Sequence, residues 1–294
     1  PTADGQAEAD LILPAGTGKH SAVLFFLGVA VNEPRDDPRL VALAEGLARS
    51  GMAVMMPWTE TQVQQRLVVE DLDDLVRAFQ YLRTLDRVDP ERVGVGGYCT
   101  GASMVTVAAQ DERIRDHVKF LNSFAGYYDA FDFIKAVGCR CRFYGDYVVP
   151  WSVDGLTYRV FRDHLIEGVT DEGERALLTR VFVDREQVAG AEVASLSPEA
   201  TAVHKLLNGV RHEEADALIE QLSPKTHEFL RRISPSTNID QLKARVLIMH
   251  DRADRLVPSE ESRRFADALA DHEDTYFTEF SLFQKEIQLH VDAD

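Results

Sequence analysis

Gly97-Tyr98-Cys99-Thr100-Gly101 is where residue type and spacing in this chain point to chemistry. The stretch Val93-Gly-Val-Gly-Gly97 leading into it reads as a strand, and residues 102–109 read as a helix. A cysteine between them, with glycine two before and two after, fits a very sharp strand-to-helix turn. Side chains at the flanking positions of such a turn would collide with backbone. The turn holds the Cys99 sulfur above the sheet. The N–H groups and positive dipole end of the following helix favour a thiolate at Cys99 and an oxyanion forming beside it. The Thr100 N–H is one natural oxyanion donor. The plainer alternative is a glycine-flanked buried cysteine with no reactivity.

The elements that must position this turn alternate in type. Residues 9–13 and 21–27 are short apolar runs joined by Pro14-Ala-Gly-Thr-Gly18, a turn-forming stretch. Residues 37–49 carry Leu40, Leu43, Ala44 and Leu47 at helical spacing, and Ser50-Gly51 stops them. Residues 52–56 read as the next strand, ended by Pro57. Residues 69–85 read as a helix with Leu72, Leu75, Val76, Phe79 and Leu82 on one side. Beyond the elbow helix, residues 118–125 give another strand. Strand–helix alternation of this kind implies a parallel sheet with helices on both faces. The pattern breaks between 130 and 240, where helical segments such as 156–166, 172–182 and 214–222 follow one another. It resumes with strands at 245–249 and 275–280 around a helix at 259–270. This organisation reads as one α/β domain, residues 1–129 and 241–294, interrupted by a helical insertion at 130–240.

Composition excludes several partner classes. A formal charge of −17, from 49 acidic and 32 basic residues, repels phosphate backbones and argues against nucleic acid. No apolar run approaches the roughly 18 residues that a membrane span needs. Three cysteines, Cys99, Cys139 and Cys141, make no disulfide framework. The chain therefore reads as intracellular and cytoplasmic, with Cys139 and Cys141 as ordinary thiols. No second cysteine pair completes a zinc site, so no metal is expected.

The elbow resembles that of the α/β-hydrolase superfamily, and within it the dienelactone-hydrolase-like group, where a G-Y-C-x-G turn also occurs. The lead-in Val88-Asp-Pro-Glu-Arg-Val-Gly-Val-Gly-Gly97 and the unit Leu47-Ala-Arg-Ser-Gly-Met-Ala-Val-Met-Met-Pro57 are similar too, and the resemblance spans residues 20–128 and 233–290. It implies an α/β-hydrolase fold carrying a large helical lid, and a triad in chain order nucleophile, acid, histidine. The group's acid lies in a pattern like H-G-x-x-D-x-x-V-P. His250-Asp251-Arg252-Ala253-Asp254-Arg255-Leu256-Val257-Pro258 matches it, which makes Asp254 the acid, with Asp251 at the usual glycine as its rival. The base should follow the last strand, and His290 does. His272 precedes that strand, and His250 ends an earlier one. A second oxyanion donor is implied after the strand 21–27, where the Val29 N–H is the candidate. Dienelactone hydrolases carry a glutamate after this strand; Gly28 stands here instead, and Ala102 replaces the last glycine of their elbow. A cyclic dienelactone is therefore not the implied substrate.

Roles follow from these assignments. A neutral thiol attacks poorly, so His290 would accept the Cys99 proton and later return it to the leaving group, worth ~10²–10⁴ in rate. Asp254 would fix the imidazole tautomer. Tyr127, Tyr128, Phe131 and Trp151 are candidate walls of an apolar acyl or alcohol pocket, with ordinary packing as the alternative. The insertion leaves the carboxyl edge of the sheet, so it is expected to roof Cys99 and to favour medium or aromatic acyl groups over acetyl. The reading is a hydrolase of small-molecule carboxylic esters or thioesters, working through an acyl-cysteine without a cofactor. An acyltransferase of the polyhydroxyalkanoate-synthase kind and a catalytically silent hydrolase-fold binding protein are the alternatives.

Overall fold

In the computed structural model, residues 8–29, 35 and 37–281 are described. The apolar runs become strands, and those at the middle of the sheet are covered on both faces while the edge strands are partly exposed. After the edge strand β1 (Glu8–Ile12), β2 (His20–Phe26) is buried from Ala22 onward. Helix α1 (Pro38–Arg49) starts at Asp37, whose carboxylate accepts the Arg39 N–H at 2.8 Å, with proline at the first helical position. It buries Leu40, Ala44 and Ala48, one stripe at a spacing of four. Next come β3 (Met52–Trp58), the short α2 (Glu60–Val63) and α3 (Glu70–Thr84). In α3, Leu75, Val76, Phe79 and Leu82 are buried, each worth about 1.5–3 kcal/mol. Strand β4 (Val88–Tyr98), helix α4 (Thr100–Ala108) and β5 (Phe120–Phe124) follow.

Asp129–Arg232 forms a compact unit of its own. Helix α5 (Ala130–Cys139) ends on Arg140 in the left-handed conformation. It is followed by a hairpin of β6 (Cys141–Tyr144) and β7 (Tyr147–Pro150), paired antiparallel across Gly145-Asp146. This small sheet is additional to the helical segments expected in the insertion. Gly-Asp between aromatic and β-branched residues is a recognised two-residue turn signal. Cys139 and Cys141 are also not separate thiols: the structure joins them in a disulfide. Six helices complete the unit: α6 (Gly155–Gly168), α7 (Glu172–Phe182), α8 (Gly190–Ala194), α9 (Pro198–Asn208), α10 (His212–Ile219) and α11 (Pro224–Ile233). The apolar faces of α6, α7 and α9 meet one another, burying Leu165, Leu178, Leu206 and Leu207.

The chain re-enters the first unit at Ile233. A 3-10 turn at Pro235–Gln241 packs on α4, and Gln110 donates to the Pro235 carbonyl at 2.8 Å. Strand β8 (Arg245–Asp251), α12 (Ser259–Ala268) and β9 (Thr275–Phe280) close the sheet. Its order is β1-β3-β2-β4-β5-β8-β9, parallel except for β1, which runs antiparallel to β3.

Candidate active site

From β2 the chain runs outward to β3, then crosses back to lay β4 on the other side of β2. At such a reversal the loops leaving the carboxyl ends of the two neighbouring strands part and form a crevice. Those loops are Leu27-Gly28-Val29 after β2 and the elbow after β4.

Cys99 has φ 54° and ψ −132°, a backbone state that costs a non-glycine residue about 1–3 kcal/mol. The surroundings impose it. The Cys99 N–H donates to the Phe124 carbonyl at 2.9 Å, and its carbonyl accepts the Ala102 N–H at 3.0 Å. A Cβ on Gly97 would come within 2.6 Å of the Ala102 nitrogen. One on Gly101 would collide with the Phe26 carbonyl oxygen and the Gly28 nitrogen. Both elbow glycines are thus required by backbone approach. Cys99 stands 7% exposed at the head of α4 and takes no part in the disulfide.

The β2 loop is bound to the elbow by a buried contact across 71 residues: the Val29 N–H donates to the Thr100 hydroxyl at 3.1 Å. Thr100 is the first residue of α4, so the helix supplies no acceptor for its own N–H. Of the two expected oxyanion donors, the Val29 N–H is thus engaged by the Thr100 hydroxyl, and the Thr100 N–H stands beside Cys99. Gly28, at φ 75°, leaves no room for a side chain, because a Cβ there would strike the Thr100 hydroxyl and the Gly101 nitrogen. A glutamate at this position would not fit.

The acid loop leaves β8, two strands from β4, with β5 between them. Asp254 is nearly buried, and its Oδ1 accepts the N–H groups of Leu256 at 2.6 Å and Val257 at 3.2 Å. Asp251 accepts the Ala253 N–H at 2.8 Å. Tyr98 lies among these groups. Burial above all, then Asp254, Cys99 and Asp251, push its phenol well above the ordinary range against the pull of Arg39, so the ring stays neutral. The expected base, His290, lies outside the described residues. β9, the strand it follows in sequence, pairs with β8. His272 bonds Thr275 at the amino end of β9, the opposite edge of the sheet from Cys99.

A model of the dienelactone hydrolase family matches residues 45–128, the stretch that includes the elbow. Among solved structures, Est1E from Butyrivibrio proteoclasticus aligns with 93% of this chain and 83% of its own at 17% identity and a TM-score of 0.51. The 2,6-dihydroxy-pseudo-oxynicotine hydrolase aligns with 92% of this chain and 56% of its own at 14% identity and a TM-score of 0.51. The acylaminoacyl peptidase of Pyrococcus horikoshii aligns with 96% of this chain at 16% identity and a TM-score of 0.52, and this chain spans 36% of its length. The chain has the α/β-hydrolase fold, and its elbow region is similar to the dienelactone hydrolase family. No curated protein matches it in sequence.

Within this fold the four candidate pocket aromatics have distinct surroundings. Tyr127 is buried, and its hydroxyl donates to the Ile233 carbonyl at 3.1 Å while its own carbonyl accepts from Ser103 at 2.8 Å. Tyr128 stacks on Phe265 at 5.4 Å, and its N–H donates to Glu261 at 3.0 Å. In the second unit, Phe131 meets His227 edge-on at 5.6 Å, and the buried Trp151 donates its backbone N–H to the Arg140 carbonyl. Tyr98 lies inside the elbow motif with no role read from it, and Ser262 and Glu261 lie in no motif; the fold brings Ser262 to His250 and Glu261 to Tyr128. Among the described residues, no group of three or more His, Cys, Asp or Glu could hold a metal ion, and no helix is long and apolar enough to cross a membrane.

Proposed function

We propose that this hydrolase cleaves carboxylic esters or thioesters through an acyl intermediate on Cys99, with His290 as base and Asp254 as orienting acid. The observation that carries the proposal is the cysteine itself, held in a left-handed backbone state between a central strand and a helix N-terminus. A backbone state that costs energy and is enforced by glycine-only contacts suits a chemical role for the sulfur better than a packing role. The thiol proton passes to the His290 imidazole as sulfur attacks the substrate carbonyl carbon. The Thr100 N–H donates to the carbonyl oxygen as charge forms on it, and the Val29 N–H joins it by exchanging the Thr100 hydroxyl for that oxygen, each donor of this kind being worth about 2.7–4 kcal/mol. The tetrahedral species collapses as His290 protonates the departing alkoxide or thiolate. Water, deprotonated by the same imidazole, then cleaves the acyl-thioester and releases the acid and the Cys99 thiol. The fold-mate Est1E has been solved with ferulic acid bound, an aromatic acid, which supports testing aromatic acyl groups first.

The test is turnover of acetyl, butyryl, hexanoyl and feruloyl esters and thioesters, with mass spectrometry of the quenched enzyme. The expected result is an acyl adduct on the peptide holding Cys99 and free acid as product. Hydrolysis that persists undiminished in Cys99→Ala would refute the cysteine route.

A further inference from the structure

His250 is wholly buried at the end of β8, yet both ring nitrogens have partners. Nδ1 lies 2.7 Å from the Ser262 hydroxyl on α12. Nε2 lies 3.1 Å from the Val257 carbonyl and 3.4 Å from Asp254 Oδ2. A carbonyl oxygen and a carboxylate oxygen only accept, so Nε2 carries the hydrogen. In the neutral ring Nδ1 is then the acceptor, and Ser262 donates to it. We propose that His250 is a positioning residue for Asp254: its Nε2–H, oriented by Ser262, holds the Val257 carbonyl of the acid loop and lies 3.4 Å from one carboxylate oxygen, while the Leu256 and Val257 amides hold the other. All these partners are uncharged apart from Asp254. The contact rests on the reading of Asp254 as the triad acid.

The physical consequence concerns one torsion. Oδ1 is held by two backbone N–H groups of the acid's own loop, and that alone leaves the loop able to shift as a body. His250 ties both the loop, at the Val257 carbonyl, and the carboxylate to β8, the strand that sets its height above the sheet. Loosening that tie misplaces the oxygen that the base must meet, and misplacement of about 1 Å costs on the order of 100-fold in rate.

The test compares His250→Gln, whose amide N–H reaches the ε position, with His250→Asn, which reaches only the δ position. Turnover of p-nitrophenyl butyrate is measured for each, alone and combined with Asp254→Asn. The expected result is kcat within about threefold of the parent for Gln and about tenfold or more below it for Asn, with KM little changed in both. In the Asp254→Asn background, Asn and Gln should give equal rates, because the group they position is gone. Urea denaturation separates folding from positioning, since both variants lose the same aromatic packing. Equal rates for Gln and Asn in the parent, or an Asn penalty that persists undiminished beside Asp254→Asn, overturns the inference. If Asp254→Asn by itself leaves turnover intact, the triad assignment falls, and the inference with it.

Discussion

At the elbow, a Cβ added to Gly97 or Gly101 meets backbone: the Ala102 nitrogen in one case, the Phe26 carbonyl and Gly28 nitrogen in the other. In the unit Asp129–Arg232, a Cβ on Gly138 meets the Leu206 side chain at 2.9 Å, and one on Gly168 meets the Thr226 hydroxyl. Both regions place glycines in tight surroundings, but the resistance differs in kind. Backbone held by strand ladders and a helix cannot rotate away, whereas a leucine or threonine side chain can change rotamer or shift. The first unit is therefore exacting around Cys99, the proposed nucleophile. The second, built from helices packed by their apolar faces, has latitude to accept substitution.

The sharpest break of this contrast is chemical. Cys99→Ala and Asp254→Asn should each lower kcat by about 10³-fold or more, as expected for members of one triad. Cys139→Ser, at the disulfide in the other unit, should stay within about threefold in steady-state ester hydrolysis. A parent-like Cys99→Ala alongside a silenced Cys139→Ser would reverse the assignment of the two units.

Stability gives the next largest difference. Gly101→Ala should cost more than about 4 kcal/mol, since no side-chain movement relieves a clash with backbone. Gly138→Ala should cost about 1–2 kcal/mol, because Leu206 can give. Urea denaturation of the two variants measures both, and equal costs would remove the distinction.

Buried charge separates the units further. Asp71, at the head of α3, has its carboxyl pushed up to about 6, mainly by burial, while Thr61 donates to it at 2.7 Å. The folded state thus binds a proton more tightly than the unfolded chain. Stability from this group is complete below about pH 4 and is lost as pH rises through about 6. Asp71→Asn should therefore be more stable than the parent at pH 7.5 by up to about 3 kcal/mol, and lose that advantage at pH 4. Parallel stability–pH curves for the two proteins would contradict this.

The smallest effect belongs to an ion pair within the insertion. Lys135 reaches Asp216 at 2.6 Å from a largely buried stem, but Asp216 is 65% exposed. Asp216→Asn should cost about 0.5–1 kcal/mol, decreasing with added salt, since water screens the carboxylate. A salt-independent loss larger than that of Gly138→Ala would mean that the insertion is held by this pair rather than by its apolar faces.

Much of this molecule was written locally in the sequence. The elbow was legible because glycine spacing, a preceding β-run and a following helix all lie within a dozen residues. The starts of α1 and α7 were legible because Asp37 and Asp171 cap the very next turn. The hairpin of β6 and β7 was equally local, and Gly145-Asp146 marks it. Other features required the fold. Val29 meets Thr100 across 71 residues only because β2 and β4 are neighbours, and Gly28 excludes a side chain only because α4 begins beside it. His250 contacts both Ser262 and Asp254 only once α12 folds back on β8. The Cys139–Cys141 bond needed the left-handed Arg140 between them as well as the spacing. Capping and turn signals act through hydrogen bonds over two to four residues, so a sequence displays them directly. Strand order and the closure of distant loops depend on which buried faces can be covered together, and that is decided only when the whole core packs.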